Sequence, residues 1–412
     1  MLIEFTVGNC LSFKEKVTFY MEATKDKSLQ DTNTFEYKSD ESYGSRLKLN
    51  LLRTTVIYGA NASGKSNFLK AMNCMRSKVI GQFKLPLQDA NAITPFKLDN
   101  ETPNNPSYFE IIFIENRTKY RFGFEADNKK IHKEWLYYTK IREINLYTRD
   151  SGEIKVSDDF KEGKFLKEIK DDTLFLTTMA QFIKNDRAKE VSDWFENLTF
   201  FDNTAFKNNL GAFFSLLFKI KEPEYKNKIL PYIHEADFGI DDVFIKESLE
   251  IPPMPFPPGL KPVPSIQPLA KHGNFTLGFL NEESNGTKVF LSLIGLFLNI
   301  AEQPKVFIID ELESNLHPYL LRLIIGLFNS IDTNPNNAQL IFTAHNTNLL
   351  DDRILRKDQI WFCEKDKNGV TNMFSLCEFK VPKKSLNKIK SYEKDYLLGK
   401  YGAVPTISKI KR

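Results

Sequence analysis

An ungapped glycine-rich motif, GANASGKS at residues 59–66, restricts the possible folds of this chain more than any other feature. The apolar, β-branched run from Leu51 to Tyr58 precedes it and predicts a buried strand, while Ser66 to Met75 has the pattern of a helix. Glycines in such a loop let successive backbone N–H groups point at one phosphate, and the helix N-terminus adds positive potential. The sequence therefore predicts a phosphate-binding loop in an α/β sheet.

Two side chains of this loop have predicted roles of their own. We expect Lys65 to reach the β- and γ-phosphates of a nucleotide and the Ser66 hydroxyl to hold Mg²⁺. The residues of this segment predicted to bind the nucleotide are Gly59, Asn61, Ser63, Gly64, Lys65, Ser66 and Asn67.

Two later apolar runs also end in polar residues that suit phosphate chemistry. Val306 to Ile309 leads into Asp310 and Glu311, and ligands of open α/β sheets bind at this carboxyl end of the strands. We expect Asp310 to hold Mg²⁺ beside Ser66, and Glu311 to orient and deprotonate the attacking water. The run QLIFT at 339–343 leads into His345, which is either a sensor of the γ-phosphate or a histidine satisfied by the backbone.

Composition and charge narrow the class of protein. No run approaches 18 apolar residues, the first five residues have no cationic segment, and the four cysteines have no CxxC spacing. A membrane span, a signal peptide and a zinc or disulfide framework are therefore not expected, and a reducing cytoplasm fits. Residues 380–412 carry a net charge of +8. Because the whole chain carries +4, the other residues together carry −4. This basic tail suggests an acidic partner, nucleic acid or protein, unless it is a solubilising terminus.

The remaining patterns outline the organisation of the chain. Residues 108–138 hold three alternating runs separated by Asn and Asp turns, which predict antiparallel hairpins. Residues 171–203 and 210–234 have helical patterns, and 251–268 contains eight of the 19 prolines. That stretch is either a docking ligand or a stiff connector. After Gly273 the strand–helix–strand order predicts a parallel sheet with crossover helices, and so an α/β fold.

Several motifs together resemble the ATP-binding-cassette (ABC) heads of SMC, RecF and OLD proteins. They are YGANASGKSN, the opening IEFTVGNCLSFK, DELESNLHP from Asp310 and NEESNGT from Asn281. The resemblance implies that Ser284 and Gly286 form a signature that closes over the γ-phosphate held by a second subunit. Read without the resemblance, Ser-x-Gly before a helix is also an ordinary helix cap.

The chain as a whole is similar to the compact ATPases of the RloA and AbiL types, found in bacterial defence and abortive-infection loci. The matching segments are PFKL, KYRFGFE, EWLYY and the closing LLGKYGAVP. The resemblance implies ATP and Mg²⁺ as cofactors, a head-to-tail dimer and a separately encoded effector, often a nuclease of TOPRIM-like fold. The chain departs from the pattern in its Q-loop, for which neither Gln82 nor Gln88 has a convincing context.

From these features we expect an ABC-type ATPase head split in sequence. Residues 1–148 form its first part, 149–270 a mainly helical insert and 271–412 its second part, with no room for an SMC coiled coil. The expected function is a sensor or regulatory ATPase of an antiphage system that controls an effector. A RecF-like ATPase of DNA repair and a scaffold with negligible turnover are the alternatives.

Overall fold

A six-stranded sheet, which we call the core sheet, carries the phosphate loop. The computed structural model describes residues 1–38, 48–81, 92–166, 168–202, 216–248, 265–301, 303, 305–379 and 392–404. Five neighbouring strands of the core sheet are parallel and the sixth is antiparallel. In spatial order they are Thr199–Asp202, Val306–Asp310, Gln339–Thr343, Thr54–Tyr58, Ile360–Lys365 and Thr371–Ser375.

A seven-stranded antiparallel sheet, the lobe sheet, lies beside it. The predicted hairpins of residues 108–138 form its centre, and the turn at Asn116 and Arg117 has the positive φ values of a tight hairpin. Its strands in spatial order are Glu153–Val156, Glu143–Asp150, Ile131–Thr139, Thr118–Ala126, Ser107–Glu115, Leu2–Gly8 and Val17–Tyr20. Two smaller sheets pair Thr34–Lys38 with Lys48–Leu52, and Asp242–Ser248 with Ser265–His272 and Phe275–Gly278.

Helices cover both faces of the core sheet. The longer ones are Lys65–Val79, Phe175–Phe182, Asp186–Glu196, Pro223–Glu235, Asn285–Ile300 and Pro318–Asn329, and the shorter ones are Gln30–Asn33, Phe279–Glu282 and Tyr392–Leu397. Residues 216–220 are also helical. Within the described residues, no helix is both long and apolar enough to cross a membrane.

The prediction that the helical pattern continues to Asn203 is wrong. The helix stops at Glu196, and Thr199–Asp202 instead joins the core sheet as a parallel edge strand. The expected limits of the insert, at 148/149 and 270/271, fall inside the strands Glu143–Asp150 and Ser265–His272. Gln82, Gln88, most of the proline-rich stretch and most of the basic tail lie outside the described residues.

Alternating side chains of the core sheet enter two separate hydrophobic cores. Ile57, Ile308 and Ile341 face the core shared with the helix Lys65–Val79 and the lobe sheet. The intervening residues face the helices Asn285–Ile300 and Pro318–Asn329 on the other side. Because these strands are buried on both faces, their sequences are continuous apolar runs.

The parallel arrangement brings the carboxyl ends of five strands to one edge of the core sheet. Thr343 pairs with Ile57, and Phe362 pairs with Tyr58, so these strands end at similar heights. The predicted class, an α/β fold with a parallel P-loop sheet, flanking helices and an antiparallel lobe, is confirmed.

Candidate functional site

The phosphate loop has a backbone shape that depends on its two glycines. Gly59 and Gly64 have φ values of 156° and 114°, which side-chain-bearing residues rarely adopt. A Cβ atom on Gly59 would lie 2.3 Å from the carbonyl oxygen of Cys363, and one on Gly64 would lie 2.3 Å from Oγ1 of Thr371. The loop is therefore packed tightly from behind, and its open side is available to a ligand.

Lys65 begins the helix and lies within the curve of this loop. Its Nζ atom donates hydrogen bonds to the carbonyl oxygens of Gly59 and Ala60, at 2.8 and 3.0 Å. Only 4% of the residue is exposed. Burial lowers the pKa of the Lys65 ammonium from its usual value, while nearby groups, including the Asp310 carboxyl, raise it. The ammonium is thus positioned, partly desolvated, where an anionic ligand of the loop would lie.

Asp310 and Glu311 follow the neighbouring strand, and one hydroxyl holds both of them. Thr343 Oγ1 donates to Asp310 Oδ1 at 2.5 Å and accepts from the Glu311 N–H at 2.8 Å. Glu311 has a φ of 51°, a conformation that costs a side-chain-bearing residue on the order of 1 kcal/mol. The hydrogen bond from its backbone N–H helps to fix that conformation, so Thr343 holds the carboxylate of Asp310 and the backbone of Glu311.

His345 lies between the loop and the acidic pair. Its Nδ1 atom is 3.4 Å from Lys65 Nζ and its Nε2 atom is 3.7 Å from Glu311 Oε1. Because an ammonium can only donate, Nδ1 is the ring nitrogen placed to accept from Lys65, and Nε2 faces the Glu311 carboxylate. Both ring nitrogens of His345 face charged groups, so the contacts of this imidazole are not made by the backbone alone.

The other predicted loop residues lie in different surroundings. Asn61 is exposed, Ser66 is half-buried, and Ser63 Oγ is buried with no hydrogen-bond partner among the described residues. Asn67 donates its side-chain amide to Ser12 Oγ at 2.9 Å, which ties the helix to the turn after the first strand. The structure therefore brings Ser63 to the loop interior, whereas the Asn67 amide is engaged with the lobe.

The predicted signature residues start the helix Asn285–Ile300. Ser284 is exposed, and its Oγ caps the helix by accepting from the Thr287 N–H at 3.1 Å. A Cβ atom on Gly286 would lie 2.8 Å from the carbonyl oxygen of Asn315 in the segment after Glu311. Neither Ser284 nor Gly286 lines the cleft that opens beside the phosphate loop of the same chain.

That cleft has a volume of about 650 Å³ and opens beside the phosphate loop. Its walls come from three further parts of the chain besides the loop. They are the segment of His345 and Thr347, the end of the strand Ile360–Lys365 with the following Asp366, and a closing segment that contributes Tyr396, Leu397, Ala403 and Val404.

The residues present suit a phosphate chain and Mg²⁺. The Ser63 hydroxyl is buried without a hydrogen-bond partner among the described residues, and its Oγ lies 2.6 Å from the position that a Cβ atom on Gly59 would take. Ser66 and Asp310 offer a hydroxyl and a carboxylate, the hard oxygen ligands that Mg²⁺ prefers. No group of three or more His, Cys, Asp and Glu side chains in the described part of the chain is arranged to hold a metal. A metal that takes most of its ligands from phosphate and water fits this donor set.

Sequence reasoning missed three residues of this site. Thr343 is the last residue of a predicted strand, and its position at the carboxyl end was the available signal. Glu313 accepts a hydrogen bond from the backbone N–H of His345, and Glu393 accepts one from Thr347 Oγ1 at 2.5 Å. Neither glutamate belongs to a local motif that predicts such a contact.

The comparisons with known proteins agree with a nucleotide-binding fold. Two solved structures are similar to this chain at 15% identity. The SMC head domain from Thermotoga maritima covers 91% of this chain and 98% of its own length, with a TM-score of 0.45. An SMC head bound to the C-terminal winged-helix domain of ScpA covers 91% and 97%, with a TM-score of 0.43. No curated protein matches. A family model, described as "AAA domain, putative AbiEii toxin, Type IV TA system", matches residues 54–351. Because this match spans well over half of the 412 residues, the chain belongs to that family of AAA domains.

Proposed function

We propose that this chain binds and hydrolyses Mg-ATP at the edge of the core sheet, as an ABC-type ATPase. One observation carries the proposal. The predicted phosphate-binding Lys65 and the predicted catalytic Glu311 follow different strands of the core sheet, yet they lie on the two sides of one histidine, His345. Members of this family of AAA domains and of the SMC heads are typically ATPases, which supports the same reaction.

Each residue of the site has a role in this proposal. The loop from Gly59 to Gly64 and the Lys65 ammonium bind the β- and γ-phosphates, while Ser66 and Asp310 hold Mg²⁺, which neutralises phosphate charge when bound. Glu311 orients the attacking water and accepts its proton. His345 acts as a sensor of the γ-phosphate from its position between Lys65 and Glu311.

We further propose that two copies of the chain complete each site. Ser284 and Gly286 of one subunit contact the γ-phosphate bound to the loop of the other, in a head-to-tail dimer. The exposure of Ser284 at a helix N-terminus supports a role in trans. ATP binding then closes the dimer and hydrolysis opens it.

The biological role that we propose is a sensor or regulatory subunit of an antiphage system in the cytoplasm. The description of the family, which refers to an abortive-infection toxin and a toxin–antitoxin system, supports this role. The dimer would control a separately encoded effector, for which a nuclease of TOPRIM-like fold is our first choice. The charge of +8 within residues 380–412 favours a second candidate, a DNA-binding ATPase of the RecF type, because DNA contacts require Lys and Arg.

A pull-down with the Glu311→Gln variant separates these functions. We expect the variant to bind Mg-ATP and remain closed, because an amide cannot accept the proton of the attacking water. The variant would be expressed from its native locus, and retained proteins and nucleic acids would be identified. Lys65→Ala, treated identically, is the control that does not close.

Each outcome changes the proposal in a defined way. A stoichiometric protein encoded by a neighbouring gene, retained by Glu311→Gln but not by Lys65→Ala, supports the regulatory role. Retained DNA without such a protein supports the repair role. Hydrolysis by Glu311→Gln at the wild-type rate contradicts the assignment of the catalytic base.

A further inference from the structure

The segment Tyr392–Val404, which we call the closing segment, forms a wall of the cleft without belonging to any nucleotide-binding motif. Four of its residues line the cleft beside the phosphate loop, on the side where His345 and Thr347 lie. Any nucleotide bound to the loop is therefore close to a part of the chain that lies more than 300 residues later in sequence. The contacts of this segment indicate what it does there.

The closing segment is anchored firmly to the core sheet. Tyr396 and Tyr401 are buried and stack on Phe362, with ring centroids 5.3 and 5.8 Å apart. Tyr396 also donates its hydroxyl hydrogen bond to the carbonyl oxygen of Ala403 at 3.0 Å, which closes the segment on itself. Phe362 lies in the strand that ends beside Gly59, so the segment has a fixed position relative to the phosphate loop.

One hydrogen-bonded residue connects this anchored segment to the loop that carries His345. Glu393 Oε1 accepts a hydrogen bond from Thr347 Oγ1 at 2.5 Å, and the Glu393 N–H donates to the carbonyl oxygen of Leu350 at 3.0 Å. Both contacts hold the chain immediately after His345. Because Thr347 also lines the cleft, the contact is part of the wall that faces the ligand.

The remaining contacts of the histidine loop come from other elements. The Ala344 N–H donates to the carbonyl oxygen of Ile57 at 3.1 Å, and the Tyr58 hydroxyl donates to the carbonyl oxygen of Asn346 at 3.0 Å. Glu313 accepts from the His345 N–H. The core sheet and the segment after Glu311 therefore fix one side of the loop, and Glu393 fixes the other.

We infer that Glu393 is a positioning residue, which holds His345 in place through Thr347 and so makes the closing segment part of the hydrolytic site. The inference rests on the proposed function, since it concerns the turnover of ATP at that site. Removing the Glu393 side chain leaves the phosphate loop and the backbone contact of Glu393 with Leu350 intact, but it removes the hydrogen bond that holds Thr347, two residues after His345. Small misplacements of a group that acts in the transition state lower turnover more than they lower binding.

The test compares Glu393→Ala with Glu393→Gln, whose amide oxygen can still accept the hydrogen bond from Thr347. For Glu393→Ala we expect kcat to fall roughly 10-fold or more, with ATP affinity within about 2-fold of wild type. Glu393→Gln should retain most of the activity. In the same way, Thr347→Val should resemble Glu393→Ala, while Thr347→Ser should restore turnover.

Two controls exclude a structural or additive effect. Glu224→Ala removes an exposed glutamate from the first turn of another helix, and both alanine variants should have similar melting temperatures. In a His345→Ala background, Glu393→Ala should cause no further loss, because residues that act as a unit are not additive.

The outcomes separate this inference from the proposed function. If the wild-type protein hydrolyses ATP and Glu393→Ala does so equally well, the inference is wrong and the proposed function stands. The inference is also wrong if Glu393→Ala lowers kcat by the same factor in the His345→Ala background as in the wild-type background. It is wrong as well if kcat falls only to the extent that the melting temperature falls. Absence of hydrolysis by the wild-type protein overturns both.

Discussion

The phosphate loop and the signature turn both contain glycine and both begin a helix, but the structure surrounds them differently. In the phosphate loop, Lys65 and Ser63 are buried, and the loop packs against Cys363 and Thr371 from distant parts of the chain. In the signature turn, Ser284 is exposed and its hydroxyl caps its own helix. The first region is preformed around a buried lysine, whereas the second presents an exposed hydroxyl, which in our proposal meets a ligand bound to another subunit.

The largest expected effect comes from the buried region. Lys65→Ala removes the one ammonium within the curve of the loop, so we expect turnover of ATP to fall at least about 100-fold. Lys70→Ala, at an exposed position on the same helix, is the matched control and should retain wild-type turnover. Steady-state hydrolysis measured at saturating Mg-ATP checks the prediction. Comparable rates for the two variants would remove the loop from the mechanism.

A smaller effect is expected at the signature turn, where two substitutions separate its possible roles. Aspartate caps a helix as well as serine does, so Ser284→Asp should preserve the melting temperature. Its negative charge would oppose the γ-phosphate of the other subunit, and we expect turnover to fall roughly 10-fold or more. Normal turnover of Ser284→Asp would mean that the serine serves only as a cap.

The smallest effect is expected for Ser284→Ala. This variant loses the cap, which lowers the free energy of unfolding by about 1 kcal/mol, but it introduces no charge. Its turnover should therefore exceed that of Ser284→Asp, although its stability is lower. Thermal unfolding and hydrolysis, measured on the same preparations, check both halves of this prediction.

The sequence predicted the phosphate loop and the strands around it because their signals are local. Eight consecutive residues specify the loop, and strands buried on both faces read as apolar runs, as in Val306–Asp310. Thr199–Asp202 was predicted as helix because four residues carry too little periodicity. Its strand conformation comes from pairing with Val306–Asp310, more than 100 residues away.

The contacts that hold the site together were not predictable, because each of them joins residues that are far apart in the sequence. Thr343 meets the Asp310 carboxylate across 33 positions, and Glu393 meets Thr347 across 46. Each is an ordinary polar residue in its local sequence, and only the parallel sheet and the anchored closing segment give it a function. Local motifs therefore predicted the groups that we propose bind the ligand, but not the groups that hold them in place.

The central claim is that each site combines the phosphate loop of one subunit with the signature of another. Mixing two variants of reduced turnover tests this claim most directly. Lys65→Ala and Ser284→Asp would be combined under conditions that allow subunits to exchange. Half of the dimers would then be mixed, with one intact site of two, so we expect about a quarter of wild-type turnover. Recovery near that level supports the claim. If the mixture is no more active than the separate variants, although exchange of subunits is demonstrated, the signature does not act in trans and the claim is wrong.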